Sequence, residues 1–490
     1  MRSSFWPRGT LALFLAAGVL LGPWLTTQAA TMPRGRATAD ADVTLSVFTC
    51  CGSLAGFTDT NPSDLSSMHA AYAALWTQTF PHLRWRETAF ADQTFMEKKL
   101  AAAVAAGTPP DMVFIQGGDA GYLALRRLIQ PLDAYFTRDN ISAGYFLPGM
   151  VRWAHFGGHW WAIPAVSGPL GGQLIYLPKY MTPLGYNNSN LRTFDDYYQM
   201  SRKAVRFDAA GNLTRIGYWP GIDSWDSVGT LMCPPGHGLY NAADQPTATD
   251  PCNVAYLRYL MKLSDLYGGY ARLTAFLAGD PDFLSGNPHA YLATGKGLAV
   301  PSGLAYWNIS PLDANSFGVK GGLAYQLTPL PPTPTGGQAN LVNYPSTMQE
   351  VVVPWGAHHP DIAYAVGKMM FWENGDLLGR SLSGSPVVQN QQQWLSQVIA
   401  GEAALRRLAG LPGNPAATLQ GVRMQPRLGR MSRASNPINP VDPYYRQQLI
   451  AETERALAGQ ESPEAALRLV QQRVIAEEGR LKAQYSSWNW

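Results

Sequence analysis

The stretch from Asp92 to Phe136, DQTFMEKKLAAAVAAGTPPDMVFIQGGDAGYLALRRLIQPLDAYF, limits the fold more than any other part of the chain. Its helix-forming run, Met96 to Ala106, stops at Gly107, the residue type that ends helices in a left-handed turn. Pro109 and Pro110 keep the helix from restarting, and Asp111 leads into an apolar strand, Met112 to Ile115. A small-residue turn, Gly117-Gly118-Asp119-Ala120-Gly121, then opens a second helix over Tyr122 to Leu128. In an open α/β sheet, ligands bind just past the carboxyl ends of strands, where such a turn sits. The segment therefore predicts a binding cleft at the edge of a parallel sheet.

The alternation extends in both directions. Val43 to Phe48 reads as the first strand, Thr49 to Asp64 as a loop, Leu65 to Phe80 as a helix and Arg84 to Thr88 as the second strand. Strand, helix, strand, helix is the order of a doubly wound sheet. Further on, Thr193 caps a helix whose first turn carries Asp195 and Asp196, which complement the positive helix end. Helices are expected over Val254 to Tyr267 and around Arg272 to Leu277. Ser462-Pro463-Glu464 starts the last helix with a cap, a first-turn proline and a first-turn acid. At 490 residues the chain is long enough for two or three compact units. No internal repeat is visible, and Pro329 to Gly337 is a low-complexity tract.

Composition narrows the function. With 46% hydrophobic and 14% charged residues the chain is globular, and at a net charge of +3 it lacks the lysine/arginine stripe that would engage nucleic acid. The densest basic run, Arg423 to Arg433, reads as a solvated loop. At the amino end, Arg2 and Arg8, the apolar run Leu11 to Leu21 and Thr27-Gln28-Ala29 read as a signal peptide over residues 1–30, cleaved or else retained as an anchor, followed by a short lead-in over 31–41. That apolar run is too short for a comfortable membrane span. A periplasmic or extracellular location follows, and with it an oxidising compartment. Cys233 and Cys252 bound a Gly/Pro/Asn-rich loop and are expected to pair, stabilising the fold by roughly 3 kcal/mol through loop closure. The adjacent Cys50 and Cys51 are either two buried thiols or one strained bridge.

Catalytic signatures are missing from the sequence. There is no G-x-S-x-G elbow, no phosphate-cradling loop, no H-E-x-x-H and no C-x-x-C. His155 and His159 have the spacing of helical metal ligands, but Gly157 and Gly158 intervene and no third ligand lies nearby, so no metal site is expected. His358-His359 reads as a loop pair.

Several segments then fall in a telling order. AAGTPPD, the strand, the short turn, the helix and QPLD come first, followed by Gly158-His159-Trp160-Trp161-Ala162-Ile163-Pro164 in a crossover. Thr193-Phe194-Asp195-Asp196-Tyr197 opens a helix, Gly295-Lys296-Gly297-Leu298-Ala299 precedes a strand, and Ala456 to Glu478 forms a closing helix pair. In this order, from Val43 to Glu478, the chain resembles the extracellular solute-binding proteins of ABC importers, in the group that captures sugars, such as the maltodextrin- and glycerol-phosphodiester-binding proteins. It departs from the family at Tyr176-Leu177-Pro178-Lys179, where "YNK" is usual. The resemblance implies an α/β fold of the type II periplasmic-binding-protein kind. Each lobe would be a mostly parallel sheet flanked by helices, with a hinge between: lobe one over 42–157 and 323–374, lobe two over 158–322 and 375–490.

It also implies a site between the lobes. Trp225 lies where the family places a ligand-stacking ring, and Tyr306 and Trp307 follow Pro301-Ser302-Gly303, where a strand end meets ligand. Each of the three is either a ligand contact or core. Polar contacts are expected from Ser53, Gln116 and Asp119 in lobe one, Asn343 and Tyr344 at the later return to that lobe, and Ser167, Asp223 and Ser302 in lobe two or the crossover. Asp119 serves equally well as a helix cap. Asp223 and Asp226 bracket Trp225, a pattern that fits hydrogen bonds to sugar hydroxyls and also acid catalysis. The implied function is capture of a sugar or polyol by a monomer, without cofactor or covalent step, for delivery to the transmembrane subunits of an ABC permease. A secreted glycoside hydrolase, or a sugar-sensing binding protein for a membrane receptor, is the alternative.

Overall fold

The computed structural model describes residues 42–50, 80–90, 93–116, 119–146, 151, 153–166, 173–187, 189–225, 228–234, 237–241, 243–279, 292, 294–302, 326–329, 349–369, 372 and 439–486. The expected signal peptide and nearly all of the expected helix at 65–80 lie outside them.

The chain opens with β1 (Val43–Cys50) and β2 (Leu83–Phe90), paired in parallel from Val43↔Leu83 to Cys50↔Phe90. Next come α1 (Gln93–Ala105), β3 (Met112–Gln116), α2 (Asp119–Leu125) and α3 (Asp133–Arg138). A hairpin of β4 (His155–Phe156) and β5 (His159–Trp160) precedes β6 (Ile163–Val166). Beyond it lie β7 (Gln173–Tyr176), α4 (Pro178–Met181), α5 (Phe194–Ala204), β8 (Arg206–Phe207), β9 (Leu213–Tyr218), α6 (Pro251–Leu266) and α7 (Tyr270–Ala278). The chain continues through β10 (Gly297–Ser302), β11 (Gln326–Pro329), β12 (Gln349–Val352) and α8 (Pro360–Lys368), and the described part closes with α9 (Asp442–Leu457) and α10 (Pro463–Gln484).

Two five-stranded sheets result, ordered β2-β1-β3-β12-β6 and β11-β7-β10-β9-β8. In the first, β1, β2 and β3 are parallel while β12 runs antiparallel to β3 and β6. In the second, β9 and β10 are parallel and β7 runs antiparallel to β10 and β11. Each sheet has its own apolar core. Val47, Val113, Ile115, Phe136, Trp160 and Val351 belong to one, and Tyr197, Ile216, Tyr218, Tyr256, Leu260 and Tyr445 to the other. Burying one such side chain contributes about 1.5–3 kcal/mol, so each sheet is well anchored. β6 pairs into the first sheet and β11 into the second. Backbone pairing thus changes sheets after Val166 and after Pro329, several residues beyond the expected breaks at 157 and 323.

Local chemistry explains the boundaries. Gly107 takes φ +72° at the end of α1. Asp111, the acid of the GTPPD turn, is a structural clamp: Oδ2 accepts from the Ser46 N–H and hydroxyl at 2.8 Å each, and Oδ1 from the His359 N–H at 2.9 Å. It therefore joins β1, the entry to β3 and the entry to α8. Thr193 and Asp196 form a capping box on α5: the Asp196 N–H donates to Thr193 Oγ1 at 3.1 Å and the Thr193 N–H to Asp196 Oδ2 at 2.8 Å. Ser462 caps α10 by accepting from the Ala465 N–H. Cys233 and Cys252 form the expected disulfide. Among the described residues no helix is long and apolar enough to cross a membrane.

Candidate functional site

The carboxyl ends of the parallel strands define one edge on each sheet. On the first, β1 ends at Cys50 and β3 at Gln116; β6 ends at Val166, which shares Gln349 of β12 as partner with Gln116. On the second, β9 ends at Tyr218 and β10 at Ser302, while Gln173 of β7 faces both Ser302 and Pro329. The chain passes from Val166 on one edge to Gln173 on the other, and again from Pro329 to Gln349. Gln173 follows Val166 by seven positions, so these edges lie within about 25 Å of each other. Both passages begin and end at these edges, so the chain joins the carboxyl ends of the two sheets twice.

The expected site residues map onto these edges. Gln116 and Ser302 are the last residues of β3 and β10, and Asp223 follows β9 by five positions. Ser53, Ser167, Tyr306, Trp307, Asn343 and Tyr344 lie outside the described residues, as do Asp226 and the side chains of Gln116, Ser302 and Cys50.

Asp223 sits in the turn that β9 delivers to the edge. Ser224 donates its hydroxyl to the Gly221 carbonyl at 2.5 Å and shares a second 2.5 Å hydrogen bond with the Tyr256 hydroxyl. Gly221 takes φ +91°, and a Cβ there would stand 2.6 Å from Asp223 Oδ1, so only glycine fits without displacing the carboxylate. The Asp223 side chain is exposed, yet loss of water to the surrounding protein pushes its carboxyl above the ordinary range. It is a hydrogen-bonding group held on a rigid turn.

Two nominated residues are corrected by their surroundings. Trp225 is 2% exposed and belongs to the second core. Its indole N–H donates to Thr453 Oγ1 at 3.0 Å, and the Tyr256 ring meets it edge-on at 5.1 Å. A ring enclosed in this way has no face for a sugar; it anchors the turn that presents Asp223. Asp119 is 0% exposed and is the first residue inside α2. Its carboxylate accepts from Gln93 Nε2 at 2.6 Å and is ion-paired with Arg446. These partners leave it neither free for ligand nor acting as a cap.

His155 and His159 lie on facing strands of the β4–β5 hairpin, and His159 Nδ1 is 3.0 Å from Asp133 Oδ2. Among the described residues no group of three or more His, Cys, Asp or Glu side chains could hold a metal ion.

The sequence model of the bacterial extracellular solute-binding proteins matches residues 60–371. The chain belongs to this family. No curated protein matches the solute-binding protein by sequence. Solved structures do match it by fold. The ABC transporter associated binding protein from B. animalis subsp. lactis Bl-04, in complex with beta-1,6-galactobiose, is 15% identical, with a TM-score of 0.64 over 90% of this chain and 98% of that one. An ABC substrate-binding protein from Listeria monocytogenes, in complex with cycloalternan, is 13% identical, with a TM-score of 0.63 over 89% and 99%. The maltose/maltodextrin-binding domain from Bdellovibrio bacteriovorus, bound to maltotriose, is 13% identical, with a TM-score of 0.58 over 89% and 99%. The solute-binding protein therefore has the two-lobe α/β fold of the type II periplasmic binding proteins, as the motif order implied.

One buried charged cluster was not nominated. Glu97 on α1, Glu350 on β12 and Arg446 on α9 converge around Asp119. The one hint in the sequence is Glu350, an acid heading the apolar run Val351-Val352-Val353.

Proposed function

We propose that the protein captures a carbohydrate or related polyol between its two lobes and delivers it to the transmembrane subunits of an ABC permease. The observation that carries this reading is the edge-to-edge topology: two sheets present their carboxyl ends across two connecting passages, in a chain of the extracellular solute-binding family. Ligands of open α/β sheets bind at such ends. Several fold neighbours are described in complex with oligosaccharides, which favours a sugar over other solutes. Asp223 supplies one hydrogen-bonding group, and the residues nominated at the other strand ends, Ser53, Gln116, Ser167, Ser302, Tyr306, Trp307, Asn343 and Tyr344, supply the rest. Ligand that touches both lobes only when they close draws the population toward closure. The protein acts as a monomer outside the cytoplasmic membrane, reached by cleavage of the signal peptide at residues 1–30, with lobes centred on the two sheets.

Thermal unfolding of the mature protein against mono-, di- and oligosaccharides and glycerol phosphodiesters tests this. A ligand at 100 times its dissociation constant adds about 2.7 kcal/mol, a readily measured shift. A shift by one sugar class, with the compound recovered intact, is the expected result. No shift across the panel overturns the sugar assignment.

A further inference from the structure

Three buried acids border the carboxyl edge of the first sheet. Asp119 heads α2, three positions after β3 ends at Gln116. Glu350 of β12 is next to Gln349, the residue that pairs with both strand ends, Gln116 and Val166. Glu97 of α1 is hydrogen-bonded to Asp119, and Gln93 Nε2 reaches both, at 2.6 Å from Asp119 Oδ2 and 3.2 Å from Glu97 Oε1. The first half of the molecule thus brings three carboxyl groups to the edge where open sheets bind ligands.

The second half answers with one cation. Arg446 of α9, whose neighbours Tyr445 and Leu449 are buried in the second core, is ion-paired with Asp119. Its Nε also lies 3.2 Å from Asp442 Oδ2 on its own helix. One guanidinium therefore faces two carboxylates, and among the described residues no ion pair reaches Glu97 or Glu350.

Glu350 is the group left over. It is 0% exposed, and neither of its carboxyl oxygens has a hydrogen-bond partner among the described residues. Buried polar groups are nearly always paired, and the exceptions call for a water, an ion or a ligand. Burial, then the charge of Asp119, holds the Glu350 carboxyl well above the ordinary range, as expected where positive charge is short. A metal ion does not fit, because among the described residues no group of three or more His, Cys, Asp or Glu side chains could hold one. Water or a neutral hydroxyl supplies hydrogen bonds but leaves the cluster short of positive charge. A primary ammonium supplies both, with three N–H donors and the missing charge.

We propose that Glu350 is a cation-recognising ligand residue, which takes the ammonium group of an amino sugar at the carboxyl edge of the first sheet. Arg446 belongs to the half opposite the three acids, so it withdraws when the halves part and leaves the edge without a cation. The ammonium binds there, at Glu350 and in the field of Asp119, and Glu350 releases its proton to solvent as the charge arrives. On closure Arg446 returns to Asp119. The proposal rests on the reading of the protein as a sugar-capturing subunit and adds the charge of the sugar.

Isothermal titration of the mature protein at about pH 6, where amines are protonated, compares glucosamine, galactosamine and mannosamine with their neutral parents and N-acetyl forms. The β-1,4 dimer of glucosamine, set against cellobiose and diacetylchitobiose, extends the series to disaccharides. One amine is expected to bind about tenfold or more tighter than its neutral parent and its N-acetyl form, the worth of a hydrogen bond to a charged group. Glu350→Gln keeps the shape but cannot carry the charge, and is expected to abolish that preference. Equal binding of amine and neutral parent overturns the proposal, as does an N-acetyl form that binds as well as the amine, or a preference kept by Glu350→Gln. The first two need no variant to fold. Putrescine, an amine without a sugar, separates the two readings. Putrescine bound and every sugar refused upholds the cation site and overturns the sugar assignment, whereas sugars bound without preference for the amine remove the cation site alone.

Discussion

Trp225 donates its indole N–H to Thr453 Oγ1 at 3.0 Å across 228 positions of sequence. This bond fastens the turn after β9 to helix α9, and the same turn carries Asp223 to the edge of the second sheet. The position of a candidate ligand group is thereby set by a buried ring that touches no ligand.

Trp225→Ala is expected to destabilise the fold by about 3–5 kcal/mol, the usual cost of emptying a large aromatic site. Trp225→Phe keeps most of the volume but leaves the Thr453 hydroxyl buried and unpaired, at about 1–3 kcal/mol. Adding Thr453→Val to Trp225→Phe should recover part of that loss, because both polar partners are then gone. Urea unfolding of the three variants measures this. Equal stability of Trp225→Phe and the natural chain contradicts the bond.

Asp223→Ala should weaken ligand binding by about tenfold or more, the worth of a hydrogen bond to a charged group, with little change in unfolding midpoint. The Asp223 carboxyl is raised by desolvation, so affinity should fall as the pH drops through that raised value and the acceptor becomes protonated. Asp223→Asn should bind with no such dependence. Gly221→Ala should imitate the loss, since its Cβ would stand 2.6 Å from Asp223 Oδ1 at a φ of +91°. Titrations across pH decide the matter; unchanged affinity in Asp223→Ala removes the residue from the site.

Stability should decline from mildly acidic to alkaline pH. Glu97 is held at about 9 in the fold against 4.5 as its ordinary value, so between these the folded state binds more protons than the unfolded one. Its contribution is complete below about 4.5 and gone above about 9, with a slope of at most about 1.4 kcal/mol per pH unit. Glu350 acts in the same direction. Glu97→Gln should flatten the curve measured by urea unfolding at successive pH values. A curve with the same slope in the variant contradicts the assignment.

Reduction of the Cys233–Cys252 bridge, whose cysteines are 19 positions apart, should cost about 3 kcal/mol through loop closure. Calorimetry of Cys233→Ser/Cys252→Ser checks it; a loss below about 1 kcal/mol would mean that the unfolded loop is already compact.

Where chemistry is local, the sequence was a good guide. The stop at Gly107, the strand after Asp111, the Thr193 capping box and the cap at Ser462 all depend on residues within a few positions, and each formed where expected. The order of motifs carried the fold. Roles set by distant partners were not legible. A tryptophan in a turn reads as a platform for sugar until Thr453 and Tyr256 enclose it. Asp119, at a strand end, reads as a ligand contact until Arg446 arrives from 327 positions away. Glu350 looks like one polar interruption in an apolar strand, and only its pairing opposite Ile115 puts it one residue from the sheet edge.

Isothermal titration of the mature protein with galacto-, manno- and malto-oligosaccharides, with chromatography of the sugar afterwards, addresses the central claim most directly. Saturable binding of one sugar per chain, weakened by Asp223→Ala and with the sugar recovered intact, is the predicted result. Absence of binding by every sugar, or recovery of shortened sugars, would contradict the reading of this protein as a carbohydrate-capturing subunit.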